Sequence, residues 1–270
     1  MSRLQTTDGL SEEQHELIKL VREFVEEQIL PVATELEHRD EYPTDIVEGM
    51  KEMGIFGLMI PEEYGGLGES LLTYALVVEE IARGWMSVSG IINTHFIVAY
   101  LILQHGTEEQ KQRYLPRMAT GEVRGAFSMS EPDGGTDVAR AMKTRAAKVE
   151  QGWRINGTKL WTSGATRAEW LIVIARTREP ERSSIDGVTM FLVPTAATGV
   201  AVREIDTLGI HGLSTCEVSF DDVVVGHDAL IGVEHAGFRQ AFATLNREGL
   251  NAAAACIGVG RGALEYAAAY

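Results

Sequence analysis

The 270-residue chain predicts an α+β fold: an N-terminal all-α domain over residues 1–122, a middle antiparallel β-barrel domain over 123–233, and the start of a C-terminal helical-bundle domain over 234–270. Three observations predict it. Apolar residues recur at helical spacing to about Glu122. From Arg124 the texture changes to short β-rich runs separated by Gly, Asn, Asp or Pro, the pattern of antiparallel β structure closing on itself. Near Glu234 helical periodicity returns in an Ala-rich stretch that runs to Tyr270.

Each element has its own signal. Ser11 and Gln14 form a capping box ahead of a stripe at Leu17, Leu20, Val21 and Phe24, which Pro31 is expected to close. A second helix is predicted over Thr44–Met53. The Ile60-Pro-Glu-Glu-Tyr-Gly-Gly-Leu-Gly68 segment is a loop, because Pro and three Gly cannot sustain a helix. Helices resume at Leu71–Arg83 and Ser87–Gln104, and Thr107 with Gln110 caps another over Glu108–Ala119. The β runs are Gly125–Ser130, Met142–Val149, Trp153–Asn156, Trp170–Arg176, Val188–Val193, Val200–Ile205 and Glu217–Phe220. The last residues lack a C-cap, a Gly or Pro stop and a basic last turn, so the final helix is expected to continue past Tyr270.

A formal net charge of -15 disfavours nucleic-acid phosphates and anionic membranes as partners. Cys216 and Cys256 are too few for a disulfide framework or a zinc site, and the seven histidines show no metal-ligand spacing. The N-terminus, Met1-Ser-Arg-Leu-Gln-Thr-Thr-Asp8, turns acidic before any apolar run, unlike a signal or transit peptide. The most apolar stretch, Phe96–Leu103, is short for a bilayer span. The expectation is a soluble, cytoplasmic protein without a metal.

Two linked patterns carry the chemistry: Phe127-Ser-Met-Ser-Glu-Pro-Asp-Gly-Gly-Thr-Asp137 and Asn156-Gly-Thr-Lys-Leu-Trp-Thr-Ser-Gly-Ala165. The first is a strand that breaks at Pro132 into a turn, where Gly134 and Gly135 free the backbone for close approach to a ligand. Hydroxyls at Ser128, Ser130 and Thr136 are expected to line one small surface. The second delivers the indole of Trp161 flanked by Thr162 and Ser163. Hydroxyls and amides beside a large aromatic face suit a flat, polar-edged ring system better than a metal or a phosphate alone. Ser128 and Ser130 as plain strand hydroxyls, with Trp161 as a core anchor, is the other reading of the same residues.

These segments resemble the flavin-contacting signature of the acyl-CoA dehydrogenase family. Three further stretches resemble that family in the same order: Gly106-Thr-Glu-Glu-Gln-Lys-Gln-Arg-Tyr-Leu-Pro116, Gly209-Ile-His-Gly-Leu-Ser-Thr-Cys-Glu-Val-Ser-Phe-Asp-Asp-Val223, and Leu245-Asn-Arg-Glu248. The resemblance spans essentially the whole chain and implies FAD, an acyl-CoA substrate oxidised to a trans-2-enoyl-CoA, electron-transfer flavoprotein as acceptor, and a homodimer or homotetramer. It implies that Met129 and Ser130 reach the reactive edge of the flavin near N5 and O4, with Phe127 and Ser128 on the same strand. Thr136 then touches flavin or thioester, and Trp161 lies against the isoalloxazine with Thr162 and Ser163 at its rim.

Removing an α-proton from a thioester requires a base, and a carboxylate serves when burial raises its pKa. In a branch resembling isovaleryl-CoA dehydrogenases the base lies on the first C-terminal helix, at the position of Glu248. In most of the family it lies later, which makes Glu248 a structural carboxylate in the second reading. The family usually has Arg directly after this position, where this chain has Gly249. The resemblance also implies that Asn246, Ile91, Thr94, His95 and Val98 border the substrate, the last four on a helix lining the acyl cavity. Core packing is the alternative for those four, with His95 a satisfied buried histidine. Glu131 and Asp137 are expected to fix the loop by accepting backbone N–H bonds. An acyl-CoA oxidase, nitroalkane oxidase or flavin monooxygenase relative, and a non-catalytic truncated or partner subunit, are the rival readings.

Overall fold

The computed structural model describes residues 9–270, so the leader reading of residues 1–8 lies outside the described residues. Ser11 Oγ accepts the Gln14 N–H at 3.2 Å while Gln14 Oε1 accepts the Ser11 N–H at 3.0 Å, which starts α1 (Glu12–Phe24). The stripe differs from expectation in one residue. Ile18 and Val21 turn inward, Leu17 and Phe24 pack at the margin of the core, and Leu20 faces out. Pro31 does not close the helix either. The chain passes through one π turn, Val25–Ile29, into α2 (Leu30–His38), and Pro31 sits in the first turn of that segment. There its missing N–H costs little, and the wider turn before it relieves the clash that would end an α-helix.

α3 (Thr44–Glu52), α4 (Leu71–Gly84), α5 (Met86–His105) and α6 (Glu108–Ala119) complete the helical half, and the Thr107–Gln110 capping box opens α6 as predicted. α5 holds the apolar run Phe96–Leu103. With 20 residues and mean hydropathy 1.7, it is the one described helix long and apolar enough to cross a membrane. In this fold it is a shared core helix. Ile92 and Phe96 enter a core with α1–α4, while Val98, Leu101 and Ile102 enter a second core against α6 and the sheet.

The sheet comprises β1 (Gly125–Ser128), β2 (Arg145–Val149), β3 (Gly152–Ser163), β4 (Trp170–Arg176), β5 (Val188–Pro194), β6 (Val200–Glu204), β7 (Thr215–Val225) and β8 (Leu230–Ile231), with the short α7 (Val138–Ala141) between β1 and β2. Its order is β6-β7-β3-β2-β4-β5-β8, with β1 beside β4. Alternation along β4 and β5 puts Ile172, Ile174, Met190 and Leu192 against the helices, and Leu171, Val173, Phe191 and Val193 into the core on the opposite face. Trp153 and Phe191 meet in that third, opposite-face core with ring centroids 5.1 Å apart.

Two expectations are corrected. The barrel is not closed, because β6 and the two-residue β8 remain as separate edges. Nor is the pairing wholly antiparallel: β1 runs parallel to β4, from Gly125↔Trp170 to Ser128↔Val173, and β2 meets β4 in parallel at Arg145↔Arg176. Two intervening strands separate β1 from β4 in sequence, which is connection enough for parallel pairing.

α8 (Gly237–Ala269) returns across the sheet and lies along α4 and α5. Its approach to α4 requires glycine: a Cβ on Gly258 would stand 2.2 Å from the Glu79 carbonyl oxygen. Around this crossing Arg261 pairs with Glu79 at 2.5 Å and with Glu80, Arg22 pairs with Glu80 at 2.8 Å, and Arg83 pairs with Glu265 at 3.3 Å. Burial pushes the Glu80 carboxyl up, but the bonds from Arg22 and Arg261 outweigh it and hold the group ionised below its ordinary range. Gly258→Ala is expected to cost about 1–3 kcal/mol of stability by overpacking a backbone contact. Gly260→Ala, whose Cβ would meet open space, is expected to gain up to about 1 kcal/mol from helix propensity. Urea denaturation of the two variants checks the contrast, and equal effects would refute the close helix crossing.

Candidate functional site

Several cross-links join the two motif segments side by side. The Leu160 N–H donates to the Ser130 carbonyl at 2.9 Å, Lys159 Nζ donates to the Met129 carbonyl at 2.9 Å, and the Ser128 and Thr162 hydroxyls bond each other at 3.1 Å. All but the last two residues of the second motif lie inside β3, a strand longer than the Trp153–Asn156 run that the sequence suggested. Its pairing with β7 slips between Lys159↔Val218 and Thr162↔Cys216, so that a bulge falls at Leu160 and Trp161. Trp161 adopts φ 64°, a left-handed conformation unfavourable for a bulky residue, and its indole is 57% exposed. Bulges and strained residues of this kind re-aim side chains at functional sites.

The turn after β1 is fixed by carboxylates, as the sequence suggested. Glu131 accepts the N–H groups of Lys143 at 2.6 Å and Thr144 at 3.0 Å, and Asp137 caps α7 through the Arg140 N–H at 3.2 Å. Behind both motifs stands α5. A Cβ on Gly125 would come 2.4 Å from Val98 Cγ1, and one on Gly164 would come 3.8 Å from Thr94 Cγ2.

Within this frame the predicted ring-contacting residues divide. Ser130 and Ser163 are half-buried, and Thr136 and Trp161 are exposed. Ser130 makes no hydrogen bond through its N–H or hydroxyl among the described residues. Ser128 and Thr162 are fully buried and bond each other, so they lock the strands from inside rather than present hydroxyls at the surface. Phe127 and Met129 are half-buried and pack against the core that α5 shares with the sheet.

The predicted substrate-facing residues divide as well. Ile91, His95 and Val98 are buried in the helical cores. His95 donates from Nε2 to the Phe56 carbonyl at 3.1 Å and stacks edge-on with the rings of Phe56 and Phe96. Burial pulls its pKa down to about 4, so it is neutral. It is a core histidine. Asn246 is exposed on α8, and Thr94 is half-buried beside Gly164.

Glu248 is the other chemical focus. Its Oε1 accepts Asn251 Nδ2 at 3.2 Å, while its Oε2 is buried and has no hydrogen-bond partner among the described residues. Asn251 Nδ2 also donates to Asn93 Oδ1 at 3.2 Å, and the Tyr74 hydroxyl donates to the same oxygen at 3.5 Å. Burial pushes the Glu248 carboxyl up to about 7, with the amides of Asn251 and Asn93 pulling weakly the other way. The neighbouring Arg247 is engaged elsewhere, with its guanidinium bonded to the Tyr100 hydroxyl and 4.5 Å from that ring. α5 links the two foci, since Asn93 belongs to the Glu248 cluster and Thr94 stands beside Gly164 at the end of the Trp161 motif.

Sequence reasoning missed Tyr74, Asn93, Asn251 and Lys159. The three-residue step from Glu248 to Asn251 was the available signal, because it puts both on one helix face. The set as a whole offers an exposed indole, a free backbone N–H, hydroxyls and one carboxyl that burial pushes up to about 7. No cluster of three or more metal-ligating side chains occurs among the described residues. A flat ring with a polar edge fits such a donor set.

Comparison with known proteins agrees with this geometry. Residues 11–122 match the family model "Acyl-CoA dehydrogenase, N-terminal domain", and residues 126–223 match "Acyl-CoA dehydrogenase, middle domain". (2S)-Methylsuccinyl-CoA dehydrogenase of Cereibacter sphaeroides is 37% identical over 97% of this chain and 50% of its own length. The short-chain specific acyl-CoA dehydrogenase of Clostridium acetobutylicum is 34% identical over 97% of this chain and 69% of its own. A crystal structure of a glutaryl-CoA dehydrogenase from Mycobacterium smegmatis in complex with FADH2 superposes with a TM-score of 0.88 at 28% identity, covering 97% of this chain and 66% of that one. The chain therefore spans between half and about 70% of the length of these relatives. With both family models matched in order and the fold shared throughout, the chain belongs to the acyl-CoA dehydrogenase family.

Proposed function

We propose that this chain is the FAD- and thioester-binding body of an acyl-CoA dehydrogenase, converting an acyl-CoA to the trans-2-enoyl-CoA. The observation that carries the reading is the hydrogen-bonded union of the Ser130 and Trp161 segments, backed by α5, whose Asn93 also bonds into the cluster of Glu248, a carboxyl that burial pushes up to about 7. Ser130 would hold the flavin edge through its N–H and hydroxyl, and Trp161 would cover the ring and exclude water. Bound FAD supplies the two-electron acceptor for the hydride that leaves the β-carbon. Glu248 takes the α-proton on Oε2, the oxygen that lacks a protein partner, and the electron pair of the broken C–H bond becomes the new double bond. Asn251 holds Oε1 meanwhile and limits the rotamers open to the carboxylate.

Electron-transfer flavoprotein is the proposed acceptor and a homodimer or homotetramer the proposed assembly. The exposed Phe242, Leu250, Ile257 and Leu264 of α8 support further packing on that helix. The free thiols of Cys216 and Cys256 suit the reducing, cytoplasmic compartment proposed for it.

Anaerobic mixing of the FAD-loaded chain with short, branched and long acyl-CoAs is expected to bleach the flavin. Glu248→Gln is expected to slow that bleaching about 100-fold or more with bound FAD retained. Unchanged bleaching would remove Glu248 from the reaction.

The same carboxyl has a stability signature. Its folded-state pKa lies above the ordinary 4.5, so the folded state binds the proton more tightly than the unfolded state does. That contribution is fully present below 4.5 and is lost as pH rises through about 7. Glu248→Gln, which cannot ionise, is expected to gain on the parent protein by on the order of 1–3 kcal/mol between acid and mildly alkaline pH. Urea midpoints of both proteins at about pH 5 and about pH 8 measure it, and a constant difference would show that burial does not tune this group.

A further inference from the structure

Lys159 stands out among the described lysines and arginines because its side chain is wholly buried, between β3 and the end of β1. An ammonium group in that position is expensive to desolvate and persists only with close partners. It has two, Glu131 Oε1 at 2.9 Å and the Met129 carbonyl at 2.9 Å. Fold stability alone does not explain the second bond. Glu131 is already held by the backbone N–H groups of Lys143 and Thr144, and an apolar side chain in place of a buried ion pair is often neutral or stabilising.

The bond to Met129 matters because of what lies across the same peptide. The Met129 carbonyl and the Ser130 N–H belong to one trans peptide unit and point in opposite directions. We infer that Lys159 is a positioning residue for the cofactor: by holding the Met129 carbonyl from the buried side, it aims the Ser130 N–H outward and polarises it as a donor to the flavin edge. The inference rests on the flavin reading above and deepens it. Hydrogen bonds in series strengthen one another, and an ammonium is the strongest donor available to a carbonyl. Ser130 is fixed on its other side as well, where its own carbonyl accepts the Leu160 N–H at 2.9 Å. Residues 159 and 160 thus set Ser130 from both flanks and lead directly into the bulge that turns Trp161 outward. Although burial pulls the Lys159 pKa down, it reaches only about 8, so the group is predominantly cationic at neutral pH.

The test compares Lys159→Met and Glu131→Gln with the unsubstituted chain. FAD affinity is read by absorbance titration, the midpoint potential of the bound flavin by dye equilibration, and the thermal midpoint of the apoprotein alongside. A donor at the flavin edge favours the electron-rich reduced form. Lys159→Met is therefore expected to bind FAD at least tenfold more weakly and to bias the bound flavin tenfold toward oxidation, a potential about 30 mV more negative. Glu131→Gln keeps an amide oxygen for Lys159 and leaves the Met129 bond in place. It is expected to lower the thermal midpoint while changing FAD affinity less than threefold. Affinity and potential unchanged in Lys159→Met would overturn the inference and leave the flavin reading standing. If the unsubstituted chain takes up no FAD, both fall. Should Lys159→Met fail to fold, Glu131→Gln decides: tenfold weaker FAD binding there would assign the effect to the ion pair and refute the route through Met129.

Discussion

The join between residues 128–131 and 159–162 is the constraint on which the candidate site depends. Neither segment holds its shape alone. The first is the end of a four-residue strand running into a turn with Pro and two Gly, and the second contains a tryptophan in a left-handed conformation. A strained residue persists only where its surroundings over-determine it. Here they do so from several directions: β7 pairs on both sides of the bulge, the buried Ser128–Thr162 bond pins the strand crossing, and Lys159 with Leu160 grips the Met129 and Ser130 carbonyls. Each neutral bond contributes only about 1 kcal/mol net, but a buried group left unpaired would cost more than that. The arrangement is therefore cooperative, and a loss at Ser128, Thr162 or Lys159 would be felt at Trp161.

The second focus is built by a different route. Glu248 reaches its environment because α8 docks on α4 and α5, and that docking is set some ten residues further along the helix, where Gly258 meets the α4 backbone and Arg261 enters the Glu79–Glu80 pair. Helix docking thus controls the burial of Glu248, and burial controls its pKa. α5 provides the common wall. Val98 behind Gly125 and Thr94 beside Gly164 lie one turn apart on α5, and the adjacent Asn93 turns toward Asn251, so the sheet-borne and helix-borne halves share a rigid reference.

Much of this was legible in the sequence where the signal is local. Both capping boxes formed at the predicted residues, because a Ser or Thr followed three residues later by Gln satisfies its own helix start. The two motifs could be read as neighbours, and hydrogen bonds join them. What the residues could not disclose was set by long-range pairing. The parallel union of β1 with β4 and the open edge between β6 and β8 depend on register between segments far apart in sequence. Pro31 misled because a π turn upstream changed its local geometry. Ser128 and Thr162 read as ligand hydroxyls because nothing local reveals that two hydroxyls face each other. Lys159 drew no reading of its own, since nothing local to the motif reveals that a buried carboxylate waits for it.

Buried charge gives the strongest reason to separate structural groups from reactive ones in this molecule. Glu80 is fully buried and held ionised, with Arg22 and Arg261 both bonded to it. Glu131 is held low as well, by Lys159 and two bonds at the Lys143–Thr144 backbone, against the opposing push of burial. In both, the partners complete the carboxylate and leave it nothing to do. Glu248 is the exception: no cation bonds to it, two amides give partial compensation, and one oxygen lacks any partner among the described residues. A carboxyl kept near neutral pH by desolvation alone is poorly suited to holding a fold together, because ionising it costs stability. It is well suited to exchanging a proton with a bound molecule that shuts out water, and that asymmetry singles Glu248 out from the other buried acids.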